Sequence, residues 1–217
     1  FMMGCDPVVL AEVQANGYYE GWYCTEWPQG FADALPLHEV TVPEFEIDRM
    51  EVSVCQYRAC HEAGACSEPW NPEASIPASW WDPAALYDPV TAVDWYQADA
   101  YCAWRGKRLC SEAEWEKAAK GTDGRMFPWG NTPEACDVAS MQIDPFPVNP
   151  CPMPPNACGT CRWTAPVGSK PAGASPYGVL DLIDNASEWI ADYDHPDYTD
   201  APTDGSPWLD PPGAERG

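Results

Sequence analysis

The chain has 217 residues, 45% of them hydrophobic and 21% charged, which is enough apolar content to bury a core and excludes wholesale disorder. Eleven Lys+Arg against 34 Asp+Glu give a formal net charge of −23, which repels phosphate backbones and anionic membrane surfaces and excludes nucleic acid as a default partner. No apolar run approaches the ~20 residues of a membrane helix, and 25 Pro, 16 Gly and 12 Trp point to a loop-rich chain pinned by aromatic side chains.

Residues 1–37 carry little periodicity. From His38 to Asp48 polar and apolar residues alternate around Pro43, which predicts an edge strand or hairpin with a bulge at the proline. Residues 51–63 read as a helix with Val54, Tyr57 and Arg58 at helical spacing, closed by Gly64. Residues 67–89, rich in proline, form a long loop held by Trp70, Trp80 and Trp81, with the Trp80-Trp81 pair a candidate for exposure. Asp94 caps a predicted helix in which Trp95, Ala98 and Cys102 share a face, and Gly106 ends it. Ser111 caps the next, with Glu114 at the N3 position of a capping box, Trp115, Ala118 and Ala119 following, and Gly121 as terminator. Residues 121–176 are turn-rich, 177–193 compact and acidic-apolar, and 194–217 rich in Pro and Asp, with no repeat in sight.

Eleven cysteines suit an exported chain in an oxidising compartment: periplasmic, cell-surface or secreted. The chain begins at Phe1, so a processed or truncated product is expected, with any export signal upstream. Roughly three or more disulfides are expected. Cys60 and Cys66 are close enough in sequence to bridge across Gly64. Cys136, Cys151, Cys158 and Cys161 are read as bridged, with four thiolates on zinc as the alternative, because Cys158-x-x-Cys161 has ligand-like spacing. His38, His61 and His195 lack an H-x-x-x-H spacing and read as ordinary surface or loop residues, which leaves no mononuclear iron site. Lys107 and Arg108 read as ion-pair formers bracing the loop before Ser111.

Several blocks resemble one family. Gly106-Lys107-Arg108-Leu109-Cys110-Ser111-Glu112-Ala113-Glu114-Trp115-Glu116 is similar to the GKRLPTEAEWE segment of the sulfatase-modifying factors, the formylglycine-generating-enzyme domain. Phe1-Met2-Met3-Gly4 resembles its opening F-x-M-G strand, and His38-Glu39-Val40 with Phe45 through Val52 resembles H-x-V followed by F-x-I-D-x-x-E-V. Pro89-Val90, Trp95 through Trp104, Phe127-Pro128-Trp129-Gly130, Pro166-Val167-Gly168 and Tyr177 through Asp181 continue in family order. Asp184-Asn185-Ala186-Ser187-Glu188-Trp189 resembles G-N-x-W-E-W.

The resemblance implies one domain over residues 1–217: an irregular α+β, C-type-lectin-like fold, disulfide-stapled and low in regular secondary structure. Catalytic relatives oxidise a sulfatase cysteine to formylglycine with oxygen and a copper ion held by two cysteines. Those follow an R-V-x-R-G-G-S segment that is not complete at Glu215-Arg216-Gly217, so the resemblance implies a chain truncated before its copper ligands and inactive as it stands. It also implies a structural calcium held by Asp181, the carbonyls of Asp184 and Ala186, and Glu188, oxygen donors of the kind calcium prefers. Asp184 stands where relatives have glycine, which predicts local backbone strain, and Ser187 replaces a tryptophan. A second calcium site of some relatives does not carry over to Val138-Ala139-Ser140-Met141 or Gly159-Thr160-Cys161, where bridges are expected instead. In relatives the cysteine equivalent to Cys102 pairs near the C-terminus, so Cys102 is expected to lack a partner here. The implied partner is a sulfatase. The alternative is a non-catalytic, calcium-stiffened lectin-like module that binds a protein or glycan.

Overall fold

The computed structural model describes residues 1–4, 34–69, 80, 82–131, 137–139 and 164–210. In chain order the elements are β1 (Met2–Met3), β2 (His38–Glu39), α1 (Val54–Glu62), α2 (Trp95–Trp104) and α3 (Glu112–Lys120), with a 3-10 turn at Pro171–Gly173. The chain alternates between two compact units: Phe1–Phe45 with Cys110–Gly124 and Ile190–Gly217, and Glu46–Leu109 with Arg125–Trp189. None of the described helices is long and apolar enough to cross a membrane.

In the first unit β1 and β2 pair antiparallel, Met2 opposite Glu39 and Met3 opposite His38. The predicted strand over 38–48 shrinks to two residues. Val40 still donates to the Phe1 carbonyl, but Thr41 turns to Thr203, and Pro43 has no N–H to offer a ladder. Gly205, at φ +80°, lets this turn approach closely; a Cβ there would stand 3.1 Å from the Val42 Cα. Ser111 caps α3 as its sequence predicts: its hydroxyl accepts from the Glu114 N–H, and the Glu114 carboxylate accepts from the Ser111 N–H at 2.9 Å. Met3, Val40 and Ala113 form the core, with Phe1, Val42 and Tyr198 packed on it. Glu116 is buried and accepts from the Gly4 N–H and from Lys120, fastening β1 to the helix.

In the second unit Ser53 caps α1 through a capping box with Gln56, a signal present in the sequence as Ser-x-x-Gln. Gly64 at φ +74° follows the Ala63 cap. The core is Val54, Tyr57, Cys60, Cys66, Trp80 and Tyr101. Tyr57 is 1% exposed, stacks on Tyr101 with centroids 5.8 Å apart, and donates its hydroxyl proton to the Ser67 carbonyl. Trp80 meets Tyr57 edge-on at 5.9 Å and is buried, so it holds the loop as expected and is not exposed. Arg58 reaches its carbonyl and lies over its ring. Trp70 and Trp81 lie outside the described residues.

The buried face of α2 also differs from expectation. Gln97 and Tyr101 face the interior, while Trp95, Ala98 and Cys102 are half-buried. Gln97 is admitted because its amide donates to the Ser67 hydroxyl at 2.8 Å and the Glu68 carbonyl at 2.6 Å, so its polar end is satisfied inside. Asp94 caps α2 as predicted, and Gln97 completes the box. The Cys60–Cys66 bridge forms, with Cα atoms 5.4 Å apart. Cys102 is unbridged, as the resemblance implies, and Cys55 presents an exposed thiol. Lys107 pairs with Asp48 at the surface. Cys5, Cys24, Cys136, Cys151, Cys158 and Cys161, and with them the zinc alternative, lie outside the described residues, as does most of the second calcium segment.

Candidate metal-binding loop

The loop that carries Asp181, Asp184, Ala186 and Glu188 is set by the turn before it. Gly178 donates to the Ser175 carbonyl, Ser175 donates to Val179, and the Leu180 N–H reaches the Arg49 carbonyl at 2.8 Å. The Arg49 guanidinium donates to Gly178 at 3.0 Å. Val179, Leu180 and Leu182 are buried, so the chain enters the loop anchored on its apolar side chains.

The loop then bends through left-handed backbone without glycine. Asp181 has φ 59°, Asp184 φ 60° and Asn185 φ 65°. Such residues cost of order 1–3 kcal/mol each and persist only where their surroundings hold them. Asp184 thus adopts the left-handed, strained conformation that the sequence predicts.

What holds the loop is Glu51, an acid that sequence reasoning marked only as part of a family block. Glu51 is 7% exposed. One carboxylate oxygen accepts from the Asn185 side-chain amide at 2.5 Å and the other from the Ala186 N–H at 2.9 Å. The Asn185 side-chain oxygen accepts from the Ala165 N–H at 2.8 Å. Asp181 accepts from the Gly168 N–H at 2.5 Å. Gly168 is required there: its φ is +72°, and a Cβ would stand 2.5 Å from the Met50 sulfur. Trp189 closes the loop by donating its indole proton to the Val93 carbonyl at 2.9 Å.

The electrostatics are those of a buried acid beside like charges. Burial pushes the Glu51 carboxyl up to about 9; the Glu188 and Asp181 charges push the same way, and the bonds from Asn185 and Ala186 only partly offset them. Burial also raises Asp181, against the pull of the Gly168 N–H. The structure therefore brings Asp181 and Glu188 within electrostatic reach of one buried acid, on a loop whose backbone carries Asp184 and Ala186. The donors are hard oxygens, the kind calcium takes, and a cation would neutralise the repulsion. Among the described residues no group of three or more His, Cys, Asp or Glu side chains forms a metal cluster, so a cation here depends on backbone carbonyls as well.

Cys60 and Cys66 are closed as a disulfide, and the Cys102 thiol is pushed up by burial and by the Asp48 and Asp99 charges, away from the thiolate form that copper needs.

Comparison with known proteins agrees with the motif order. Residues 14–215 match the sulfatase-modifying factor enzyme 1-like domain, and the chain belongs to that family. It is 31% identical over 190 residues to a hercynine oxygenase of Mycolicibacterium smegmatis, covering 76% of this chain and 41% of that protein. It is 40% identical over 108 residues to the formylglycine-generating enzyme of Bos taurus, covering 48% of this chain and 27% of that enzyme. The chain thus spans less than half the length of these two relatives. The solved structure of PvdO from Pseudomonas aeruginosa superposes with a TM-score of 0.68 at 26% identity, covering 96% of this chain and 73% of that one. The fold is accordingly that of the formylglycine-generating-enzyme family.

Proposed function

We propose that this chain is the calcium-stiffened scaffold of an extracytoplasmic oxidoreductase of the formylglycine-generating type, built to receive a cysteine-bearing segment of a sulfatase. The irregular core is C-type-lectin-like in this reading. The observation that carries it is the clasp of Glu51 on Asn185 and Ala186, more than 130 residues away in sequence, which joins the F-x-I-D-x-x-E block to the G-N-x-W-E-W block. Two motifs that define the family are thereby one structural unit.

Calcium would be held by Asp181, Glu188 and the carbonyls of Asp184 and Ala186, and it would supply positive charge beside the buried Asp181 and Glu51 and the exposed Glu188. Glu51 orients the Ala186 backbone from the protein side, and Asn185 passes that constraint to Ala165. Redox chemistry is assigned neither to the bridged pair Cys60–Cys66, which offers no thiolates, nor to Cys102, whose thiol burial pushes up. Oxidation of substrate by the catalytic members' copper would need ligands from outside the described residues.

The test has two arms. Melting curves in calcium and in chelator should differ for wild type, and Glu188→Gln should erase most of the difference. A labelled C-x-P-x-R peptide should bind saturably by fluorescence anisotropy, while the chain plus copper should yield no formylglycine. Absence of peptide binding overturns the substrate assignment. Turnover that depends on Cys55, Cys102 or Cys110 overturns the scaffold reading, and equal melting in both buffers overturns the calcium site.

A further inference from the structure

We propose that His195 is a proton-operated latch on the 190–210 segment of the first unit. As an imidazolium it ties the backbone at Tyr193 to the backbone at Asp210; when it loses a proton it releases one of them.

The argument starts from donors and acceptors. The His195 Nδ1 lies 2.8 Å from the Tyr193 carbonyl oxygen, and its Nε2 lies 2.5 Å from the Asp210 carbonyl oxygen. A carbonyl oxygen only accepts, so both ring nitrogens must carry hydrogen to make both bonds. Only the imidazolium does. A neutral ring would aim a lone pair at one of the two oxygens.

The surroundings suit a cation. The ring lies flat on Trp208, with centroids 3.5 Å apart and planes 2° from parallel, where the indole face attracts positive charge. The Asp192 carboxylate is within electrostatic reach. Residues 190–210 contain no Lys or Arg; their other charged groups are Asp192, Asp194, Asp197, Asp200, Asp204 and Asp210, with Tyr193 and Tyr198 as further titratable groups. Glu112, whose N–H binds Asp192 and whose carboxylate accepts from the Tyr198 hydroxyl, is the acid contributed by α3. His195 is thus the sole cationic side chain of this segment, half-buried between two backbone oxygens and an aromatic face.

The latch closes a hairpin. The Tyr193 N–H donates to the Trp208 carbonyl at 3.0 Å, so the two chains that His195 spans are already paired one step inward. His38 in the same unit is built the other way. Its Nδ1 donates to the Pro36 carbonyl at 3.0 Å, while its Nε2 is buried with no acceptor, so a second proton there has nowhere to point. Acid therefore tightens the hairpin at His195 and does not tighten the strand at His38.

The sign is fixed by the bonds. The stabilising contacts belong to the protonated ring, so the hairpin is firmest in acid and loosens as pH rises.

The measurement is amide hydrogen exchange at Tyr193, corrected for the intrinsic rate, near pH 5 and near pH 8. In wild type the protection should fall about threefold or more across that range. His195→Gln, which offers one donor and one acceptor, and His195→Phe, which keeps only the stack on Trp208, should both show low protection at both pH values. The proposal is overturned if wild-type protection does not change with pH. It is equally overturned if either variant retains the wild-type change.

Discussion

Glu51 and Asp192 perform the same local task, one in each unit, in opposite electrostatic company. Each is buried, at 7% and 4% exposure, and each accepts two hydrogen bonds from distant parts of the chain. Glu51 takes Asn185 and Ala186; Asp192 takes the Glu112 N–H at 2.8 Å and the Trp208 N–H at 2.7 Å. The difference lies beyond those bonds. Glu51 has Glu188 and Asp181 for neighbours, both pushing its carboxyl up, whereas the charge beside Asp192 is His195, which pulls its carboxyl down against the upward push of burial. A buried acid among like charges is held by its hydrogen bonds against their repulsion. A buried acid between two N–H groups and a histidine is complete.

The largest expected effect follows from that contrast. A cation bound only by the folded state stabilises by about 2.7 kcal/mol at a hundredfold excess over Kd, and here that gain should be confined to residues 181–189. Hydrogen exchange in calcium and in chelator should change there and leave Tyr193 and Trp208 untouched. Equal changes in both segments would break the comparison.

Asp192→Asn comes next. Turning one acceptor into an N–H₂ donor opposite a backbone N–H leaves a buried group unsatisfied, which costs about 1–3 kcal/mol. The loss, read from urea midpoints, should be the same with calcium and without it.

Stability should also depend on pH. The Glu51 carboxyl is raised from 4.5 to about 9, so its stabilising contribution is whole below about 4.5 and is lost as pH climbs toward about 9. In chelator, wild type should therefore lose stability relative to Glu51→Gln between these limits, and calcium should shrink that loss. A variant that tracks wild type at every pH would remove the like-charge explanation. The smallest effect belongs to Lys107→Ala. The ion pair with Asp48 is solvent-exposed on both sides, at 45% and 56%, so its loss should shift stability by less than about 1 kcal/mol and vanish in high salt.

Much of this was legible in the sequence where the signal is local. Asp94 and Ser111 announce their helices because a cap needs only the residue and its N3 partner. Ser53 with Gln56 carries the same signal, yet the helix expected over 51–63 begins three residues before the observed start at Val54, because apolar periodicity alone does not mark the cap. Long-range bonding was not legible. Gln97 turned inward because Ser67 and Glu68 meet its amide, a partnership that no spacing along α2 reveals. The expected strand over 38–48 stopped early because its partner ladder ended at Phe1. The four loop residues came from family resemblance, whereas the acid that shapes their loop is distant in sequence and became visible only in the fold.

Asn185-Ala186-Ser187 also spells an acceptor sequence for N-linked sugar. Its asparagine is 7% exposed, with the amide nitrogen committed to Glu51 and the oxygen to Ala165. A glycan on that nitrogen would replace a donor the clasp needs and would have no room to leave the interior. In a eukaryotic secretory host, folding and glycosylation at this position therefore exclude one another. Intact-mass measurement of the folded, secreted chain should find Asn185 bare, and any glycosylated fraction should appear only among misfolded or aggregated material.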